Sequence, residues 1–431
     1  MKIDLQSLAQ NRRHGHTIGV TSVCSAHPLV LRAALRFGRD HASTVLIEAT
    51  CNQVNHLGGY TGMAPAAFAA LVQKIAAEEH CPAALIQLGG DHLGPNPWRD
   101  LPANAAMAEA EQMMAAFVAA GFRKLHLDAS MGCRDEPVAL DDETTAHRAA
   151  RLAKVAQETA QKHGLPSPFY IIGTEVPPPG GADHVLNTIE PTSPSAAQTT
   201  IDVHRRVFTQ AGLADAFSRA MGLVVQPGVE FGNQNVIVYD PAKAAALTSL
   251  LADETQFVFE AHSTDYQGTG PLGQLVRDGF QILKVGPELT FILREALYAL
   301  DLIATDLLPG YGNRPLYGAM EALMLAEPGH WQKHYHGDAA GQRWLRHYSL
   351  SDRIRYYWTH PKALAAVDHL KNSLDGISVP EPLFWQHWPQ AKAFSGRPID
   401  VEAILIWRVT QSLAAYHAAG IPALKTDLKS H

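Results

Sequence analysis

AALIQLGGDHLGPNPW, residues 83–98, holds in one stretch the two features that decide the fold. It opens as a short apolar run without alternation, the pattern of a strand covered on both faces. It closes on Asp91 and His92 behind two glycines, so polar chemistry begins where the run stops. Seven other runs share this character: HTIGVTSV from His16, STVLIEA from Ser43, KLHLDAS from Lys124, FYIIGTE from Phe169, GLVVQPGVEF from Gly222, QFVFEAH from Gln256 and ILKVGPE from Ile282. Between them lie Ala- and Leu-rich segments such as PLVLRAALRFGRDH, PAAFAALVQKIAAEE and NAAMAEAEQMMAAFVAAG, with apolar residues at helical spacing. Strand alternating with helix gives a parallel α/β architecture. Eight such units within the first 308 residues fit a (β/α)8 TIM barrel. A doubly wound sheet is the competing arrangement, but no G-x-G-x-x-G follows the first strand.

The rhythm changes after Leu308, so residues 1–308 are assigned to the barrel and 309–431 to a helical C-terminal extension packed on it. Two amphipathic helices are predicted there, over Ser351–Leu374 and Asp400–Ala419, separated by the Pro-rich ISVPEPLFWQHWPQ. GHWQKHYHGDAAGQRW reads as a polar, aromatic connection whose histidines, His330, His334 and His336, are solvated or packed.

In a (β/α)8 barrel the chemistry sits at the C-terminal ends of the strands. Those positions carry Glu48 and Asn52, Asp91 and His92, Asp128 and Ser130, Glu175, Glu230 and Asn233, Glu260 and His262, and Lys284. The strand starts are bland by comparison. Glycines before Asp91-His92 suggest a ligand close to the backbone, with a proton carrier beside a neutral imidazole. His92 and His262 with a carboxylate from Glu175 or Glu230 form a mixed N/O set suited to a divalent ion such as Zn²⁺ or Mn²⁺. Such an ion polarises a sugar carbonyl and stabilises an enediolate. Lys284 reads as an ion-pair partner of a neighbouring carboxylate such as Glu260 or Asp128, with a Schiff-base nucleophile as the alternative.

The bulk composition excludes several classes. A net charge of −7 over 431 residues gives no basic footprint for nucleic acid or anionic membrane. Cys24, Cys51, Cys81 and Cys133 show no CxxC spacing and read as reduced thiols. MKIDLQSLAQNRRHGHT lacks the apolar core of a signal peptide, and no apolar run approaches the ~20 residues of a membrane span. A cytoplasmic protein is expected.

The segments IGVTSVCSAHPLVLRAAL, VLIEATCNQVNHLGGYTGM, GGDHLGPNPW, LHLDASM, IGTEVPPPGG, VVQPGVEFGNQNVIVY, FEAHSTDYQ and LKVGPELTFILREALYAL resemble the GatZ/KbaZ family. Its members are subunits of D-tagatose-1,6-bisphosphate aldolase and often carry an older tagatose-6-phosphate kinase label. The resemblance implies a barrel related to class II, zinc-dependent aldolases, in carbohydrate catabolism of the galactitol, amino-sugar or polyol type. It implies a sugar or sugar-phosphate ligand, an oligomeric assembly and a GatY/KbaY-like catalytic partner that this chain supports. The alternative it implies is a self-sufficient ketohexose 4-epimerase or aldolase working by retro-aldol chemistry. By the same resemblance, Asp91 and Glu175 match catalytic carboxylates and Glu260 joins them, while His92 and His262 match metal ligands and Glu230 replaces a third. Glu48, Asn52, Asp128, Ser130, Asn233 and Lys284 would contact the substrate. The metal would be zinc, with manganese, nickel or cobalt as substitutes. Three segments depart from the class II pattern: Asn235 stands where a metal histidine is expected, and KVGPEL and STDYQGTG replace a ketose-binding motif and a phosphate loop. No Walker-type GxxxxGK[ST] supports a kinase.

Overall fold

A computed structural model describes residues 2–173 and 189–421. Eight parallel strands close into a barrel: β1 Val20–Val23, β2 Val45–Thr50, β3 Ile86–Leu93, β4 Lys124–Leu127, β5 Phe169–Ile172, β6 Ala220–Val224, β9 Val258–Ala261 and β10 Phe280–Val285. Closure is made by β1 on β10, with Val20 opposite Ile282 and Val23 opposite Val285. A small antiparallel hairpin, β7 Glu230–Phe231 with β8 Val236–Ile237, stands off the barrel between β6 and β9. The predicted TIM barrel is therefore the observed fold.

Period two along the strands sets the barrel interior. Val20, Leu46, Phe169, Ile171, Val258 and Ile282 form an apolar cluster near the strand starts, closed by Leu5 and Leu8 of the N-terminal segment. Two residues further along the same strands come Ser22, Glu48, Glu260 and Lys284, all buried. The larger apolar core fills the space between the barrel and its helices. The two glycines of β3 serve packing. A Cβ on Gly89 would lie 2.8 Å from Glu48 Cγ, and one on Gly90 would lie 2.6 Å from Leu93 Cδ1. They make room for side chains of the barrel wall, not for an approaching ligand as the sequence suggested.

The extension differs from expectation in its first helix. That helix spans Pro361–Leu374, not Ser351–Leu374, because Pro361 begins it and a proline ring is tolerated only in the first turn. The preceding stretch is a short 3₁₀ turn, Arg353–Tyr357. GHWQKHYHGDAAGQRW contributes to a further helix, Ala339–Tyr348, capped by the Asp338 carboxylate accepting from Gly341 N at 2.7 Å. The last described helix, Val401–Gly420, lies against helices Pro28–Asp40, Thr269–Arg277 and Pro287–Leu307. It reaches β1 through Gly19 N donating to Gly420 O at 2.9 Å. A Cβ on Gly420 would sit 2.5 Å from Gly19 O, so this approach requires glycine. Among the described residues no helix is long and apolar enough to cross a membrane.

Candidate active site

Above the apolar layer the barrel is filled by ions. Lys124, fully buried on β4, lies 2.5 Å from Glu48 Oε1 and 2.7 Å from Glu260 Oε2. Lys284 lies 2.6 Å from Glu48 Oε2, 2.7 Å from Asp91 Oδ1 and 3.5 Å from Glu260 Oε1. Burial alone would lower both lysines, but the surrounding carboxylates outweigh it, Glu260 first for Lys124 and Asp91 first for Lys284, and both stay above the ordinary lysine range. An ammonium held in this way is not a Schiff-base nucleophile, so the ion-pair reading of Lys284 is the one its surroundings favour. The partners are Glu48 and Asp91 before Glu260, and Asp128 is not among them.

The next layer outward is built from histidines. The rings of His92, His126 and His262 form a triangle with centroid separations of 5.0–5.2 Å. His126 Nδ1 lies 2.9 Å from Asp91 Oδ1, and His92 Nδ1 lies 2.8 Å from Asp128 Oδ2. Ser130 Oγ donates to the other Asp128 oxygen at 3.0 Å. His262 Nε2 lies 3.1 Å from Glu260 Oε1. His92 adopts a left-handed backbone, φ 50°, at the point where the β3–β4 register shifts. Such a conformation costs about 1–2 kcal/mol outside glycine, and it marks a position held by its surroundings. The Asp91 carboxylate helps to hold it, accepting from His92 N at 3.0 Å.

Four of these residues present ligand atoms within 4.8 Å of one another: Asp91, His126, Glu260 and His262. His126 Nε2 is buried with no hydrogen-bond partner among the described residues. Nδ1 is engaged by Asp91 Oδ1 at 2.9 Å and by His92 N at 3.2 Å, so Nε2 is the ring nitrogen left to meet a ligand, in the manner of a histidine held from behind by a carboxylate. Burial lowers the His262 pKa to about 3, which keeps that ring neutral, as a ligand must be. Charge points the same way. Glu48, Asp91 and Glu260 are three buried carboxylates set against the two ammonium groups of Lys124 and Lys284, while Asp128 is matched by His92, whose pKa its carboxylate neighbours raise. The donor set and its surplus of negative charge therefore fit a divalent ion.

A cavity of about 90 Å³ opens over this cluster. Among the sequence-predicted residues, Asn52, Asp91, His92, His262 and Lys284 line it. Glu48 and Glu260 lie one layer below, and Asp128 and Ser130 stand behind His92. Glu230 sits in the hairpin, where its Oε1 accepts from Phe231 N at 2.9 Å, and it is not part of the four-residue group. Burial raises its pKa to about 7. Asn233 is engaged by the extension, its Oδ1 accepting from Ser349 Oγ and Ser351 Oγ, both at 2.8 Å. Glu175 lies outside the described residues. Among the residues that sequence reasoning missed are His126 in the cluster, and Arg355 and Tyr356 in the cavity lining. His126 had a signal, since Lys124, His126 and Asp128 share one face of the strand by alternation. Arg355 and Tyr356 had none, because they arrive from the 3₁₀ turn of the extension.

Imidazoles and carboxylates thus gather at the C-terminal ends of β3, β4 and β9 of a closed parallel barrel, the end where barrels of this class carry their chemistry. More narrowly, the chain belongs to the GatZ/KbaZ-like family, described as D-tagatose-1,6-bisphosphate aldolase subunit GatZ/KbaZ-like, whose model matches residues 5–421. It is 59% identical over 415 residues to the D-tagatose 6-phosphate 4-epimerase of Agrobacterium fabrum, covering 96% of this chain and 98% of that protein. It is 53% identical to a probable tagatose 6 phosphate kinase from Sinorhizobium meliloti, whose crystal structure superposes with a TM-score of 0.85 over 93% of this chain and all of that one.

Proposed function

We propose that this chain is a self-sufficient, metal-dependent 4-epimerase of a ketohexose 6-phosphate. The observation that carries the reading is the group Asp91, His126, Glu260 and His262, with His126 Nε2 buried and unpartnered among the described residues. The 59% identical relative named as a 4-epimerase supports the substrate class. A divalent ion held by His126, His262 and a carboxylate, zinc or a similar first-row ion, would polarise the oxygens on either side of the reacting carbon–carbon bond.

Asp91 carries the proton in this reading. It is the carboxylate that both faces the cavity and contacts His126 and Lys284. It takes the proton of the 4-hydroxyl, the C3–C4 bond breaks, and its electron pair passes into the ketose carbonyl as an enediolate. The aldehyde fragment turns its opposite face, the bond re-forms at C4, and Asp91 returns the proton. Lys284, cationic beside Glu48 and Asp91, stabilises negative charge as it develops. His92, held by Asp128, orients the rim.

The second reading is a supporting component of a tagatose-bisphosphate aldolase with a GatY/KbaY-like partner, and the family description favours it. A kinase is not favoured, since the chain has no GxxxxGK[ST] phosphate loop. One assay separates these readings. The full chain is incubated alone with tagatose 6-phosphate and with tagatose 1,6-bisphosphate, then again with a GatY-like subunit. Formation of fructose 6-phosphate by the chain alone is expected. Cleavage of the bisphosphate only with the partner, and no epimerisation without it, would replace the epimerase with the supporting role.

A further inference from the structure

The cavity lining carries a cation that the chemistry above does not use. Arg355 comes from the 3₁₀ turn Arg353–Tyr357 of the extension and lines the same cavity as Asp91 and His262. Among the described residues its guanidinium makes no ion pair, whereas Arg36, Arg148 and Arg346 each pair with a glutamate. Its hydrogen bonds go to neutral oxygens. Nη1 donates to the carbonyls of Ser351 and Asp352, and Nη2 donates to Tyr356 Oη at 2.9 Å. Of the five guanidinium N–H donors, Nε–H and one Nη2–H remain. These sit on adjacent nitrogens at the spacing that grips two oxygens of a phosphate.

The plane of that fork is fixed. The Arg355 guanidinium lies 4.4 Å from the centroid of Tyr356, and Tyr356 meets Tyr60 edge to face at 4.7 Å. The other cation of the cavity, Lys284, is committed to Glu48 and Asp91. The place where barrels of this kind often bind phosphate is also taken. There the anion rests on backbone amides after the last two strands, at the N-terminus of the following helix. Here Asp265 Oδ1 accepts from Gly286 N at 3.0 Å and from Glu288 N at 2.8 Å, so an acidic side chain occupies the amides a phosphate would need.

We propose that Arg355 binds the phosphate monoester of the ketose substrate, making the C-terminal extension part of the specificity site. The inference rests on the sugar-phosphate reading above and assigns the group that recognises the phosphate. Arg355 binds and does not react. Arg355 shares one cavity with Asp91 and His262, so in this proposal the phosphate end is anchored in the same cavity that receives the reacting carbons.

The test uses the full, metal-loaded chain as wild type, Arg355→Met and Arg355→Lys. Rates are measured with tagatose 6-phosphate and with tagatose, and inorganic phosphate serves as a competitive probe. In Arg355→Met the ratio of kcat/KM for the phosphorylated over the free sugar is expected to fall about 10- to 100-fold, mainly through KM. The inhibition constant of phosphate is expected to rise by a similar factor, and Arg355→Lys to fall between. If the ratio stays within about twofold of wild type in both variants, Arg355 is not the phosphate site. If Arg355→Met fails to fold, Arg355→Lys decides. If the wild type epimerises neither sugar, the proposed function fails, yet calorimetric binding of inorganic phosphate still reads the subsite. Heat lost in the variants would keep it, and equal heat in all three proteins would overturn it.

Discussion

At one end of the barrel Val20, Leu46, Ile171, Val258 and Ile282 pack as an apolar plug under Leu5 and Leu8. One interior step along the same strands, Ser22, Glu48, Glu260 and Lys284 take their place. The strands and their twist are shared, so the difference lies wholly in which side chains alternate inward. The apolar end stabilises the barrel by burying surface. The ionic end cannot be explained that way, since buried ion pairs are often no more stable than apolar residues of equal volume. Two lysines among three carboxylates, beneath three histidines, form a layer held by charge pairing and not by apolar burial.

The ionic end is most sensitive at Lys124. Lys124→Met leaves Glu48 and Glu260 facing each other with one cation fewer, and is expected to cost about 3–5 kcal/mol of stability in urea unfolding. A loss below about 1 kcal/mol would show that the layer is not ionised as described. His126→Ala is expected to lose bound metal and to slow turnover about 10²- to 10³-fold while the apolar end holds the fold. Metal retained at the wild-type level in that variant would remove His126 from the ligand set.

At the other end, Ile171→Val is expected to cost only about 0.5–1.5 kcal/mol and to leave metal content unchanged. Metal loss there would mean that the two layers are coupled. The remaining effect is a pH slope. Burial, and then the nearby Glu288, raise the Asp265 pKa from an ordinary 3.8 to about 7. The native state therefore holds a proton that the unfolded chain releases across that window, and stability falls as pH rises through it. Asp265→Asn should flatten the slope between denaturation midpoints taken on either side of the window.

Much of this was legible in the sequence. Eight apolar runs with polar C-terminal ends are what a barrel covered by helices requires, and each of those runs overlaps a barrel strand. Asp91, His92, His262 and Lys284 fall at the cavity because strand ends were the right place to look. His126 was passed over because it sits inside the run KLHLD and not at its end, although alternation with Asp128 marks it. Glu230 stands apart from the cluster because the hairpin holds its carboxylate against Phe231 N. Arg355 and Tyr356 could not be read at all, since no local pattern tells a 3₁₀ turn more than sixty residues past the last strand that it will line the barrel's cavity.

A metal-dependent reaction at the histidine cluster is tested most directly by metal content and turnover measured together. The purified full chain is analysed for bound metal, then given tagatose 6-phosphate alone, after chelation, and after the metal is restored. About one divalent ion per chain, with fructose 6-phosphate formation lost on chelation and recovered on re-addition, is the result predicted here. Turnover that continues undiminished in chelated, metal-free protein would contradict it.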